Sequence, residues 1–228
     1  MNVKKFLFGK DISELLWAEY YKLSIADKSW LKSLAIYPGR WAGNFTFFYV
    51  LNRVLDLKKP ENILEFGLGQ STRFINAYLV NQLKRSALDV IEHDHKWIDF
   101  FRKDNSLCER IVIHKTELST KNFKGISVPS YKFGDDFFTD KHFDLVIIDA
   151  PFGSKNKFSR IDILELQKKF PKCFEKTIFI FDDTHRKGEL NTFKELVSMR
   201  PGYSSTNYHG NKSVGIAVPN ELKFLLSL

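Results

Sequence analysis

From Asn62 onward, short apolar runs alternate with stretches of helical length, and that alternation leaves few folds open. The runs lie at 63–66, 88–92, 110–114, 143–149 and 177–181, and the helical stretches at 71–84, 95–105, 161–170 and 188–199. The strongest run is Phe143-Asp144-Leu145-Val146-Ile147-Ile148-Asp149, continuous in the way that a strand buried on both faces of a parallel sheet requires. Strand–helix alternation at this period means βαβ units, hence a parallel sheet with helices on both faces. The end of the chain differs. Residues 203–208 and 212–218 are separated by His209-Gly210-Asn211, which reads as a hairpin, so the last strand is expected to enter the sheet antiparallel. The predicted class is α/β with seven strands.

Residues 1–60 read as a helical extension and 61–228 as the main globular unit. A first helix is expected from an acidic cap at Asp11 through Tyr21; Pro38-Gly39 interrupts, and an aromatic-rich helix follows over 44–57. Residues 125–140 carry no clear pattern and are expected to be a loop. No apolar run approaches the roughly 18 residues that span a bilayer. The basic first ten residues hold too short an apolar stretch for a secretory signal. Cys108 and Cys173 are too few for a disulfide framework and lack metal spacing, so a cytoplasmic location is the expectation. The 35 basic against 27 acidic residues favour an acidic partner, such as nucleic acid, a phosphorylated or uronic-acid substrate or a membrane face. A solvated lysine-rich surface explains the same balance, since the lysines are spread and no arginine tract occurs. The sequence leaves oligomeric state open.

Glu65-Phe66-Gly67-Leu68-Gly69-Gln70-Ser71-Thr72 lies directly between a strand and a helix. Glycines there let the backbone turn sharply and let a ligand approach the main chain. A P-loop would end in Gly-Lys-Ser/Thr, which is missing, and a dinucleotide fingerprint needs glycine where Thr72 stands. The remaining pattern, Glu-x-Gly-x-Gly-x-Ser/Thr, resembles the first motif of the class I S-adenosylmethionine-dependent methyltransferases. That resemblance covers about residues 60–218 and implies a Rossmann-like sheet with an antiparallel last strand. It also implies S-adenosylmethionine as cofactor, with Glu65, Gly67, Gly69, Ser71 and Thr72 around its methionine part. Glu92, 23 residues after Gly69, would accept from the ribose hydroxyls, a role it would share in a nucleotide oxidoreductase.

Asp149-Ala150-Pro151-Phe152-Gly153, followed by Ser159-Arg160, narrows the resemblance. It looks like the polysaccharide-biosynthesis methyltransferases related to glucuronoxylan 4-O-methyltransferases, which methylate a sugar hydroxyl. The chain departs from them at Ser159, where glycine is usual, and in Phe181-Asp182-Asp183-Thr184-His185.

Asp149 and the pair Asp182-Asp183 follow two strands, at the carboxyl ends where open α/β sheets bind ligands. Two readings stay open. Asp149, Asp182 and Asp183 can hold a hard divalent cation such as Mg²⁺, similar to catechol-type O-methyltransferases, although their third ligand is usually Asn. Alternatively Asp149, which also borders the cofactor, or His185 acts as general base toward the acceptor hydroxyl. Arg160 is the candidate for gripping an acidic acceptor through its planar fork. Phe152 and Trp41 are candidates for stacking on a sugar or adenine, with core packing as the plain alternative. His93, His95 and His114 lack zinc spacing. The expected function is O-methylation of a sugar, glycan or other small acceptor. The alternatives are amino-directed nucleic-acid methylation, one residue away from an Asp-Pro-Pro-Phe motif, or cofactor binding without catalysis.

Overall fold

Alternate residues of each central strand face opposite sides of one sheet, which is why Leu145-Val146-Ile147-Ile148 and Ile178-Phe179-Ile180-Phe181 are apolar throughout. The computed structural model of the chain describes residues 3–39, 42–134, 136–153 and 157–227. The strands are β1 (Asn62–Phe66), β2 (Ala87–Glu92), β3 (Ile111–Lys115), β4 (Leu118–Phe123), β5 (Ile126–Tyr131), β6 (Leu145–Ile148), β7 (Ile178–Phe181), β8 (Tyr203–His209) and β9 (Ser213–Pro219). The helices are α1 (Val3–Ser24), α2 (Ser29–Lys32), α3 (Phe45–Lys58), α4 (Gln70–Asn81), α5 (His95–Asp104), α6 (Asp162–Lys169) and α7 (Lys187–Ser198).

Seven strands form one sheet in the order β3-β2-β1-β6-β7-β9-β8. Pairing from β3 through β7 is parallel, and β9 is antiparallel to both β7 and β8. The expected antiparallel insertion of the last strand is therefore present. The chain moves outward from β1 to β3 and then returns to β6, so strand order reverses between β1 and β6. Such a reversal opens a crevice at the carboxyl ends of those two strands.

The two faces are built differently. Ile63, Leu88, Val90, Leu145, Ile147, Ile178 and Ile180 pack on one side with α3 and α4 residues including Phe48 and Phe74. Leu64, Phe66, Val146, Ile148, Phe179 and Phe181 pack on the other with Ile163, Leu164, Phe193 and Leu196 of α6 and α7. Burying each large side chain is worth about 1.5–3 kcal/mol, so both layers are bound firmly to the sheet.

The amino-terminal helices are tied to the far end of the chain. Glu14 accepts from the Phe45 amide at 2.7 Å, from Asn44 Nδ2 at 2.7 Å and from the Asn211 amide at 2.9 Å. Gly210 is required at that junction, because a Cβ there would lie 2.2 Å from Thr46 Oγ1.

Two expectations change. Helix α1 runs across Asp11 instead of starting at it. Residues 126–131 are not loop: β4 and β5 form a separate two-stranded hairpin. Its turn places Lys124 (φ 50°) and Gly125 (φ 79°) in the left-handed region, as a tight hairpin demands. Pro129 within β5 disguises the strand in the sequence, and it is tolerated because the hairpin has only edges.

Candidate active site

At the end of β1 the backbone turns through Gly67, whose φ of 103° favours glycine and whose Cβ would sit 3.0 Å from that of Ala150. Gly69 differs. Its backbone is extended (φ −173°), and a Cβ there would meet nothing within 4 Å. That open side borders a cavity of about 780 Å³, whose walls include Gly67, Gly69, Ser71 and Glu92. Below the turn, the Gly69 amide donates to Thr72 Oγ1 at 3.1 Å, and Thr72 Oγ1 donates to Glu65 Oε2 at 2.7 Å. Glu65 and Thr72, expected at the cofactor, are fully buried beneath the turn and outside the cavity wall, where they brace the turn. Burial pushes the Glu65 carboxyl up to about 8, against hydrogen bonds from Ser71 and Thr72.

Glu92 closes β2 beside this turn. Its Oε2 accepts from the Leu68 amide at 3.1 Å, and its Oε1 from the amides of His93 and Asp94 at 2.6 and 3.0 Å. One carboxylate thus pins the glycine turn to the β2–α5 junction with main-chain donors. Asp94 caps α5 by accepting from the Trp97 amide at 3.1 Å. That cap sets Trp97 over the turn, where its Nε1 donates to the Leu68 carbonyl at 2.7 Å. Trp97 stacks with Phe100, and both border the cavity. Neither carries a role that the sequence motifs assign. The signal available was the Asp94 cap, which places Trp97 in the first turn of the helix.

The opposite wall comes from the ends of β6 and β7. Oxygens of Asp149, Asp182 and Asp183 converge within 4.8 Å of one another. Arg160 stands among them, only 4% exposed, with φ 54°. Its Nη2 donates to Asp183 Oδ2 at 3.0 Å and lies 3.2 Å from Asp149 Oδ1. Nη1 reaches the carbonyls of Asp182 (3.1 Å) and Ile148 (3.5 Å), and Nε that of Pro151 (3.2 Å). Arg186 Nη1 lies 3.1 Å and Lys212 Nζ 3.8 Å from Asp183 carboxylate oxygens. These cations hold Asp183 below the usual carboxylate range although burial opposes them. Asp149 is pushed up to about 6, burial outweighing Arg160. Asp182 goes well above its ordinary value through burial and the adjacent Asp149 and Asp183.

Several predicted residues take other places. Arg160 borders the cavity, with its guanidinium nitrogens engaged by the acid cluster and by main-chain carbonyls. His185 and Asp182 do not line the cavity; His185 Nδ1 accepts from the Ser213 amide at 3.4 Å. Phe152 does face the opening, 62% exposed and edge-on to His93. Trp41 lies outside the described residues. Arg186, whose run His185-Arg186-Lys187 is expected from the sequence to add positive charge beside the acceptor entrance, lies on the wall together with Lys212, which carries no signal in the sequence until the chain brings the two together. A divalent cation does not fit this donor set, since a guanidinium bridges two of the three carboxylates and two further cations approach the same aspartate.

No family model and no curated protein matches the chain. Solved structures do. A candidate caffeoyl-CoA O-methyltransferase from Staphylococcus aureus superposes with a TM-score of 0.56 at 12% identity, over 92% of this chain and 100% of that one. A methyltransferase from Geobacter sulfurreducens gives 0.50 at 15% identity, over 87% of this chain and 88% of that one. The fold is thus the Rossmann-like class I methyltransferase fold.

Proposed function

We propose that the chain is a methyltransferase that uses S-adenosylmethionine to methylate a hydroxyl of a small acceptor. The observation that carries this reading is a single cavity with two chemically distinct walls. A glycine turn pinned by Glu92 forms one, and a partly exposed carboxylate, Asp149, stands on the other.

The first wall fits the cofactor. The vacant Cβ position of Gly69 is a cradle that any side chain would fill, and Gly67 and Ser71 continue it. Among the described residues, Glu92 Oε2 accepts one bond, from the Leu68 amide, and retains capacity for a ribose hydroxyl. Trp97 and Phe100 offer apolar faces for a base. When bound, S-adenosylmethionine supplies an electrophilic methyl group, its carbon–sulfur electron pair staying with the thioether as the carbon–oxygen bond forms.

The second wall fits proton removal. Asp149 is 25% exposed, and Arg160 fixes its Oδ1. With its carboxyl near 6, Asp149 is ionised at neutral pH and still basic enough to accept a hydroxyl proton. The buried surroundings align the reactants and exclude water, which is most of what an in-line displacement needs from a protein. For the acceptor, the Asp149-Ala150-Pro151-Phe152-Gly153 resemblance supports a sugar or glycan unit, with Phe152 as its platform. An acidic group on it would meet Arg186 or Lys212, since Arg160 faces inward.

Calorimetry with S-adenosylhomocysteine tests the first half: one-to-one binding is expected, and a folded protein that does not bind overturns the reading. Transfer of a labelled methyl group to a panel of uronic acids, neutral sugars and phenols then identifies the acceptor class.

A further inference from the structure

Three carboxylates converging at the ends of two parallel strands would ordinarily recruit a hard divalent cation. In this chain that convergence contains its own cation. All three nitrogens of the Arg160 guanidinium are engaged: Nε donates to the Pro151 carbonyl, Nη1 to the carbonyls of Ile148 and Asp182, and Nη2 to Asp183 Oδ2 while lying 3.2 Å from Asp149 Oδ1. These acceptors come from β6, from the loop after it and from the residues after β7, so the guanidinium ties together the segments that carry the three acids. It is buried and spans two of the three prospective metal ligands. The remaining charges point the same way. The acids are Asp149, Asp182, Asp183 and the buried Glu189; the cations are Arg160, Arg186 and Lys212, with His185 Nδ1 4.0 Å from Asp183. Asp183 Oδ1, which has no hydrogen-bond partner among the described residues, faces Lys212 and His185. A divalent ion entering here would have to displace a guanidinium engaged on all three of its nitrogens and sit beside two further cations.

We propose that Arg160 is the resident cation of this centre, in the place of a divalent metal, and that the protein works without one. Arg160 is then a positioning residue. It orients Asp149 through Oδ1 and leaves the other oxygen for the acceptor proton. The proposal rests on the methyltransferase reading for its catalytic consequence, while its geometry stands independently.

Manganese(II) is the probe. Titrated into the wild-type protein and followed by the electron paramagnetic resonance signal of the free ion, it is expected to show no site. Arg160→Met removes the charge while keeping an apolar stem of similar length, and it should bind manganese at least about tenfold more tightly than wild type. Adding Asp149→Asn to Arg160→Met should abolish that gain. Wild-type uptake of one ion, lost in Asp149→Asn, overturns the proposal, and so does a folded Arg160→Met protein with no gain. Should Arg160→Met fail to fold, the wild-type titration still decides, and methyl transfer unaffected by EDTA supports the same conclusion. S-adenosylhomocysteine binding on the same samples separates the two readings. Its absence rejects the methyltransferase assignment and leaves the manganese result to judge Arg160.

Discussion

The two walls of the cavity hold their carboxylates in opposite ways. At the β1–β2 end, Glu92 is met by three main-chain amides and the adjacent His93 ring, and by no arginine or lysine among the described residues. At the β6–β7 end, Asp149 and Asp183 are met by the side chains of Arg160, Arg186 and Lys212. Main-chain donors come with the backbone path and survive substitution of their own side chains. Side-chain cations can be lost one at a time, so the second wall is where the chemistry can be retuned. The first wall also leaves space beside Gly69, whereas the second is filled by its own charges. On the proposed reading, the first end receives the cofactor and the second sets the proton affinity of Asp149.

The largest effect that would sharpen this contrast is expected at Asp149. Asp149→Asn removes the proton acceptor and should lower kcat by about 10²–10⁴-fold, the usual share of general-base catalysis. S-adenosylhomocysteine affinity should change little, because the first wall is untouched. An equal loss in binding would mean that Asp149 serves the cofactor instead.

Glu92→Ala is the reverse case. Losing a charged acceptor that serves three amides should weaken S-adenosylhomocysteine about 100-fold and lower Tm, since bonds to charged groups are worth about 1.5–3 kcal/mol each. The two glycines divide these effects. Gly69→Ala should keep the wild-type Tm while binding the ligand poorly, because its backbone is extended and only the cavity lies beside it. Gly67→Ala should lose about 1–3 kcal/mol of stability, since its φ is positive and its Cβ meets Ala150. Identical behaviour of the two variants would break the distinction between turn and cradle.

Much of the first wall was legible in the sequence, and less of the second. The glycine turn and Glu92 act through main-chain geometry, which spacing after a strand largely determines. The sheet was legible for the same reason, through the apolar runs at β6 and β7. Arg160 was noticed, but its direction was not readable. That direction depends on a left-handed backbone at residue 160 and on carbonyls contributed by residues 148, 151 and 182. The β4–β5 hairpin escaped because Pro129 breaks the alternation. Glu65 looked like a ligand contact because motif position does not reveal which side of a turn a side chain occupies.

Glu65 also supplies a pH signature confined to the first wall. Its carboxyl rises from an ordinary 4.5 to about 8 on burial, so the folded state holds a proton that the unfolded state releases across that window. Its contribution is fully present below pH 4.5 and is lost as pH rises toward 8. Glu65→Gln mimics the protonated form and should flatten this part of the profile, leaving Tm several degrees higher than wild type at pH 8 and nearly equal at pH 5. Parallel wild-type and variant profiles would show that Glu65 is ionised in the fold.

The smallest expected effect tests whether the first wall really relies on its main chain. Trp97 touches the turn through one hydrogen bond to the Leu68 carbonyl, and its ring stacks on Phe100. Trp97→Phe deletes the N–H and keeps an aromatic face. A single neutral hydrogen bond nets about 1 kcal/mol, so S-adenosylhomocysteine should bind about fivefold more weakly, with kcat unchanged at saturating donor. The turn would still be held by Glu92 through Leu68, His93 and Asp94. A loss approaching that of Glu92→Ala would mean that the indole, and not the pinned backbone, forms the binding surface, and the contrast between the two walls would have to be redrawn around side chains on both sides.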